Sequence, residues 1–67
     1  MFNPHFTFSD NRKMQKVINA LEELKLYEVI SMFDNSDEMC TRLLNIYNYA
    51  KQEEISLQDA CIFALWG

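Results

Sequence analysis

The sequence predicts an all-α protein, a compact bundle of three to four short helices preceded by an extended aromatic N-terminal strap. The chain of 67 residues contains one Gly and one Pro, so it has few of the residues that the tight turns of a β fold require. Its apolar residues recur with the i, i+3, i+4, i+7 spacing of amphipathic helices. A chain of this length forms one domain, which we expect to cover residues 1–67.

The N-terminal strap comprises residues 1–8, in which Phe2, Pro4, Phe6 and Phe8 alternate with polar side chains. This period of two predicts an extended segment, and proline is incompatible with a helix interior. Three phenyl rings are an unfavourable composition for a solvated tail. We therefore expect the strap to pack on a protein surface, and the sequence leaves open whether that surface belongs to the same chain or to a second one.

The first helix is predicted to begin at a cap formed by Ser9 or Asp10 and to run to about Lys25. Its apolar stripe loses phase near Leu26. The stretch that follows, residues 26–33, fits both a helix and a strand, because a short apolar run cannot be assigned by its period alone. We favour a short second helix or a kinked continuation of the first.

The central helix, residues 35–52, has the clearest helical pattern of the chain. Asn35 is its predicted N-cap, and Glu38 is placed to complete a capping box. Its apolar face is wide, so we predict that the other elements pack around this helix. The expected core consists of Met14, Val17, Ile18, Leu21, Leu24, Ile30, Phe33, Leu43, Ile46, Tyr47, Ala50, Leu57, Cys61 and Leu65.

The last helix is predicted to follow an N-cap at Ser56, with Asp59 three residues on. Its sequence, LQDACIFALW, is apolar on both sides. A helix that is apolar all round is buried all round, and a monomer of this size offers little protein to cover it. The sequence thus predicts a second protein surface, anchored by Phe2, Phe6, Ile62, Phe63 and Trp66.

Residues suited to catalysis or metal binding are scarce. His5 is the single histidine, the one glycine ends the chain, and the sequence has neither a phosphate-binding loop nor a zinc-type histidine pair. Cys40 and Cys61 are predicted to be buried thiols in a reducing cytoplasm. No apolar run approaches the roughly 20 residues of a membrane span. We predict a cytoplasmic protein that has no membrane contact, is not an enzyme and holds no cofactor or metal.

The formal net charge of −4 is distributed unevenly, about +1 over residues 1–25 and −5 over residues 26–67. An acidic protein is poorly suited to neutralising phosphates, so nucleic acid is a disfavoured partner. Acidic residues of the second part form a candidate partner face, namely Asp34, Asp37, Glu38, Glu53 and Glu54. This face supports an alternative function, that of an acidic phage-type inhibitor of a nucleic-acid enzyme.

The last 18 residues resemble the helix pair of ribbon–helix–helix repressors and antitoxins. One helix ends near Ala50-Lys51, Ser56 caps the next, and that helix ends in Ala64-Leu65, while residues 29–33 would supply the ribbon. The resemblance implies a DNA-binding regulator as another alternative. The chain departs from that family by having Glu54 where a turn glycine is usual, and by offering Glu28, Ser31 and Asp34 where basic or amide side chains read DNA.

The function that the sequence favours is protein–protein interaction without catalysis. The chain has surplus apolar residues near both termini and no constellation of reactive side chains. A twofold dimer is the commonest way in which small proteins cover such a surplus. We therefore predict a homodimeric regulator or inhibitor of another protein.

Overall fold

The computed structural model describes residues 2–67 and contains four α-helices, α1 (Phe8–Glu23), α2 (Tyr27–Ser31), α3 (Asp37–Glu53) and α4 (Leu57–Trp66). Residues 2–67 contain no strand. Helix α1 packs against each of the other three helices, and α3 also packs against α4. The predicted all-α bundle is confirmed, and the ambiguous residues 26–33 contain the short helix α2.

Helix α1 occupies the centre of the bundle, which corrects the prediction that the chain packs around residues 35–52. Six residues of α1 are buried, against three of α3 and two of α4. Because the other three helices all contact α1, its buried face is the broadest. The apolar pattern of α3 is equally regular, but a pattern within one helix does not reveal how many neighbours that helix has.

The core joins α1, α3 and α4. Its largest fully buried side chains are Met14, Val17 and Leu21 of α1 and Leu43 of α3, with Cys40 and Cys61 beside them. Leu65 is the one predicted core residue that is exposed, at 40%. It lies in the last turn of α4, where it lines an open groove instead of the core.

The segment before α1 is a turn, which corrects the predicted extended strap. Residues 4–6 turn the chain, and a backbone hydrogen bond of 3.1 Å closes that turn at Phe6. Phe8 is already the first residue of α1 and is 72% exposed, and Phe2 is 57% exposed. Of the three phenyl rings, that of Phe6 packs against the core.

Helices α1 and α4 begin at hydroxyl caps. Ser56 Oγ accepts a hydrogen bond from the backbone N–H of Asp59 at 3.1 Å, which confirms the predicted cap of α4. The cap of α1 is Thr7, which accepts from the backbone N–H of Asp10 at 3.0 Å. The prediction of Ser9 or Asp10 is wrong because the helix starts two residues earlier, with Phe8 inside its first turn.

Helix α3 begins one residue later than predicted. Its cap is Ser36, whose Oγ accepts from the backbone N–H of Met39 at 3.2 Å. Asn35, the predicted cap, has a φ of 63° instead, in the left-handed region that Asn tolerates better than most residues. Glu38 does not complete a capping box and forms an ion pair of 3.3 Å with Arg42.

Helices α1 and α3 end in the same way, at non-glycine residues in the left-handed conformation. Lys25 has a φ of 59° and Glu54 a φ of 55°. At each end the next residue reaches back five positions, as Leu26 N–H to Leu21 O (3.0 Å) and as Ile55 N–H to Ala50 O (3.0 Å). These are Schellman motifs, in which the apolar residue after the turn also packs on the helix.

The strand that a ribbon–helix–helix protein would need is not formed. Residues 29–31 lie in α2, and residues 32–33 continue from it through backbone hydrogen bonds to Val29 and Ile30. The helix pair α3–α4 is therefore packed on a third long helix and not on a ribbon. The similarity to that family does not extend to its DNA-reading element.

Candidate interaction surface

The N-terminal segment is fixed to the bundle by a group of polar contacts, which we name the asparagine clasp. It comprises the buried Asn3 and Asn11 and the exposed His5, Asn35 and Asp37. Asn3 and Asn11 are each only 4% exposed. Asn3 N–H donates to Asn11 Oδ1 at 2.7 Å, and Asn11 Nδ2 returns a bond to Asn3 O at 2.9 Å. All buried side-chain polar atoms of residues 2–67 have hydrogen-bond partners, so the clasp is fully satisfied.

The clasp also reaches the start of α3. Asn3 Nδ2 donates to Asn35 O at 3.0 Å and to Asp37 Oδ1 at 2.9 Å, and His5 Nδ1 lies 3.0 Å from Asp37 Oδ2. Hydrogen bonds from His5 and then Asn3 hold the pKa of Asp37 below its ordinary value. His5 therefore has a structural partner on the surface and is one component of the clasp.

Helix α4 presents apolar side chains to solvent. Ile62 is 41%, Phe63 56%, Leu65 40% and Trp66 67% exposed. Ile62 and Trp66 are four residues apart, so they stand on one stripe of the helix. Among the described residues, one side-chain hydrogen bond ties α4 to another helix, and it lies in the first turn, between Gln58 Nε2 and the Glu23 carboxylate. The end of α4 is thus held by apolar contacts alone.

An apolar groove lies between α2, α3 and α4, and Phe63 and Leu65 line it, whereas Ile62 and Trp66 do not. It consists of two adjoining hollows of about 390 and 370 Å³, which share Asn45, Ile46 and Ala64. The ring of Phe63 meets that of Tyr49 edge to face, with centroids 6.3 Å apart, and forms one wall. We name this feature the α4 groove, and its principal residues are Met32, Ile46, Tyr49, Phe63, Ala64 and Leu65.

The five predicted interface anchors do not form one cluster. Ile62, Phe63 and Trp66 lie together on α4. The carbonyl of Phe2 accepts a hydrogen bond from Asn35 Nδ2, which places it at the start of α3, whereas Phe63 packs near the end of that helix. Phe6 is half-buried in the domain's own core. The predicted anchors therefore comprise an α4 group and a separate N-terminal group.

The predicted acidic face is divided in the same manner. Asp34, Asp37 and Glu38 lie at the start of α3, and Glu53 and Glu54 at its end, about 25 Å away for a 17-residue helix. The first three have local roles: Asp34 accepts from Ser36 N–H at 3.1 Å, Asp37 belongs to the clasp, and Glu38 pairs with Arg42. Hydrogen bonds from the Ser36 side chain and backbone lower the pKa of Asp34.

A basic cluster that the sequence did not reveal lies across α1 and α3, and we name it the basic patch (Arg12, Lys13, Lys16, Lys51, with Phe8 and Tyr47). The ammonium groups of Lys13 and Lys51 stand 5.7 and 5.5 Å from the centroid of the Tyr47 ring. The i, i+4 pair Arg12 and Lys16 was visible in the sequence. The contribution of Lys51 was not, because it depends on how α1 and α3 cross.

Residues 2–67 contain neither a cluster of metal-binding side chains nor a helix that could span a membrane. Among residues 2–67, no group of three or more His, Cys, Asp and Glu side chains is placed to hold a metal ion. Over the same residues, no helix has the length and apolar character needed to cross a bilayer. Cys40 and Cys61 are both free and buried, and burial raises the pKa of the Cys61 thiol.

Comparison with known protein families, with characterised proteins and with solved structures gives no match to this chain. The function has to be inferred from the residues themselves.

Proposed function

We propose that the protein is a non-catalytic interaction module that forms a homodimer through α4 and the α4 groove, and that the dimer regulates or inhibits another protein. The observation that carries this proposal is the exposure of Phe63 and Trp66 on α4, together with an apolar groove that Phe63 lines. The largest apolar patch on a typical monomer covers about 300–600 Å² and is often a functional site.

The exposed apolar area agrees with the requirement of a stable dimer. Tyr49, Phe63 and Trp66 are 40%, 56% and 67% exposed, and Met32, Ile62 and Leu65 add aliphatic surface. At aromatic side-chain areas of 150–250 Å², the three rings alone expose roughly 250–400 Å² of apolar surface. A standard interface buries about 800 Å² per partner, of which about 65% is apolar in homodimers. The patch is therefore large enough to be the centre of such an interface.

The shape of the region also favours self-association. A twofold interface uses the same patch on both subunits, so that patch must contain both projecting groups and a place to receive them. Phe63 projects from α4 with 56% exposure and also lines the α4 groove, so this region has both a projecting ring and a hollow. In a twofold dimer the Phe63 ring of one subunit packs against the groove of its partner, and both become covered at once.

The unpaired cysteines support a reducing compartment such as the cytoplasm. Cys40 and Cys61 are fully buried, and neither is in a disulfide. Disulfides are rare in cytosolic proteins because cellular thiols keep cysteines reduced. The expectation that the protein lacks enzymatic activity stays a prediction.

The test is sedimentation velocity over a concentration series from low micromolar to millimolar. The double variant Phe63→Ser, Trp66→Ser is expected to raise the dimer dissociation constant at least about a hundredfold, because each interface aromatic of this kind contributes about 2 kcal/mol or more. The matched control is Phe8→Ser, the same chemical change at a more exposed ring on α1, which should leave the dissociation constant within about twofold.

Two results would contradict the proposal. One is a parent protein that remains monomeric at millimolar concentration. The other is an equal effect of Phe8→Ser and of the α4 double variant, since this would place the contact elsewhere. Circular dichroism of each variant checks that the helices are retained.

A further inference from the structure

The basic patch concentrates positive charge in a protein that is otherwise strongly acidic. Arg12, Lys13, Lys16 and Lys51 are four of the six basic residues of the chain. Since the formal net charge of the whole chain is −4, the residues outside the patch carry −8. Such segregation creates a local positive potential that attracts anionic groups.

No carboxylate of residues 2–67 lies within ion-pair distance of a patch cation. The ion pairs formed within residues 2–67 are His5–Asp37 and Arg42–Glu38, and neither includes a patch cation. Lys13 and Lys51 instead share the ring of Tyr47. Because an aromatic ring attracts cations without cancelling their charge, both ammonium groups remain able to bind an anion.

The patch has a concave shape and an apolar component. A hollow of about 330 Å³ lies between Phe8, Arg12, Lys16 and Tyr47. Arg12 and Lys16 are four residues apart and project from the same stripe of α1, where the Cβ atoms of such a pair lie about 5–6 Å apart. Phe8, 72% exposed, forms one end of the hollow. A ligand that fits this arrangement carries several negative charges and one apolar side chain.

We propose that the basic patch is a docking site for an acidic peptide segment of a partner protein, with Arg12, Lys13, Lys16 and Lys51 binding its carboxylates and Phe8 contacting an apolar side chain. The patch shares no residue with the α4 groove, so it would remain accessible in the proposed dimer. This proposal rests on the charge and shape of the basic patch, whereas the dimer proposal rests on the exposed apolar residues of α4.

Charge favours a short peptide over nucleic acid. Duplex DNA has one negative charge per about 1.7 Å of its axis and extends beyond any four-cation patch, where it would meet the acidic remainder of this surface. The faces of Tyr47 are approached by Lys13 and Lys51, which leaves that ring less suited to stacking on a base. A short acidic segment contacts the patch alone.

The experiment measures binding of a fluorescein-labelled eight-residue peptide, with six Asp or Glu residues around a central Leu-Phe pair, by fluorescence anisotropy at low salt. The double variant Arg12→Glu, Lys16→Glu is expected to weaken binding at least tenfold. The matched control is Lys25→Glu, Arg42→Glu, which changes the net charge by the same amount outside the patch and should weaken binding no more than twofold.

The apolar contact is tested separately. Phe8→Ala should weaken binding of this peptide several-fold and leave binding of an analogue with a central Gly-Gly pair unchanged. The affinity of the parent should fall as the salt concentration rises, since the contacts are charge pairs on the surface.

Several outcomes would overturn the proposal. These are no binding of the acidic peptide by the parent, equal losses in the two double variants, or tighter binding of a labelled 16-base-pair duplex through the same residues. A difference in sedimentation between the parent and the variant Arg12→Glu, Lys16→Glu would also overturn the proposal, because the patch would then contact a second copy of the chain. Failure of the dimer proposal appears in sedimentation of the Phe63 and Trp66 variant and leaves this test unaffected.

Discussion

The two ends of the chain are attached to the bundle by different kinds of interaction. The N-terminal turn is held by the asparagine clasp, in which Asn3 and Asn11 are buried and hydrogen-bonded on every side. The end of α4 is held by apolar packing on one side and exposes Phe63 and Trp66 on the other. Directional bonds between buried polar groups permit one arrangement, whereas exposed apolar surface accepts any cover of suitable shape. This contrast is why we assign the interaction surface to α4.

The largest change in stability is expected when the clasp is removed. Asn11→Ala deletes an acceptor for Asn3 N–H and donors to the carbonyls of Asn3, Phe6 and Thr7, and leaves a buried N–H without a partner. The free energy of unfolding should fall by about 3 kcal/mol. Urea denaturation followed by circular dichroism measures it.

The matched control for the clasp is Asn19→Ala, the same substitution at an exposed position of α1. It should change the free energy of unfolding by no more than about 0.5 kcal/mol. If the two variants are equally stable, the clasp is not what holds the N-terminal turn, and the contrast between the two ends is lost.

A smaller effect is expected at the cap of α4. Ser56→Ala removes the acceptor of the Asp59 N–H and should cost about 1 kcal/mol. Because the remaining contacts of the end of α4 are apolar, faster amide exchange should be confined to α4. Thr7→Ala, which removes the cap of the central helix α1, should instead raise exchange in all helices that pack on it. Equal patterns in the two variants would contradict the idea that α4 is attached more loosely.

The C-terminal ends of α1 and α3 should respond alike to substitution by glycine. Lys25→Gly and Glu54→Gly place glycine at positions with φ of 59° and 55°, and each should raise the free energy of unfolding by about 0.5 kcal/mol. Asn35→Gly is the control, since its φ is 63° but its side chain donates to Phe2 O at 2.7 Å. That variant should gain nothing or lose stability, as measured by thermal unfolding.

The smallest effect is expected at the exposed His5–Asp37 pair. The pKa of Asp37 is lowered in the folded protein by hydrogen bonds from His5 and Asn3. Its contribution to stability is therefore present above the ordinary aspartate pKa of 3.8 and is lost as the pH falls through the lower, folded value. In urea titrations, the difference in stability between the parent and Asp37→Asn should shrink as the pH is lowered from 5 to 2. A difference that is constant over this range would contradict the assignment.

Local signals predicted much of the fold, although two of the three predicted caps, Ser9 or Asp10 and Asn35, were wrong. The helices, the Ser56 cap and the apolar character of α4 depend on residues within one turn of each other, and the structure agrees with them. The clasp was not predictable, because Asn3 bonds to residues 32 and 34 positions away. Leu65 was assigned to the core because it shares one side of the helix with Leu57 and Cys61, but the helical pattern does not show how far along that side the neighbouring helices reach.

The candidate surfaces divide along the same line. Ile62, Phe63 and Trp66 were identified because three large apolar residues share the outer side of one short helix. The basic patch was missed because Lys51 is 38 residues from Lys13, and only the crossing of α1 over α3 brings both to Tyr47. The acidic residues were grouped because all five lie in the acidic second part of the sequence. In the structure, the length of α3 separates the first three from Glu53 and Glu54.

The two cysteines make the motions of the two ends separately observable. Cys40 lies against the clasp, with its Sγ 3.5 Å from Asn3 Nδ2, and Cys61 lies on the buried side of α4. Both have no solvent exposure, so a thiol reagent can modify either only while the structure around it is transiently open. In variants that retain one of the two cysteines, the modification rate measures the opening of each end separately. The rate at Cys40 measures how often the clasp opens, and the rate at Cys61 measures how often α4 separates from the bundle.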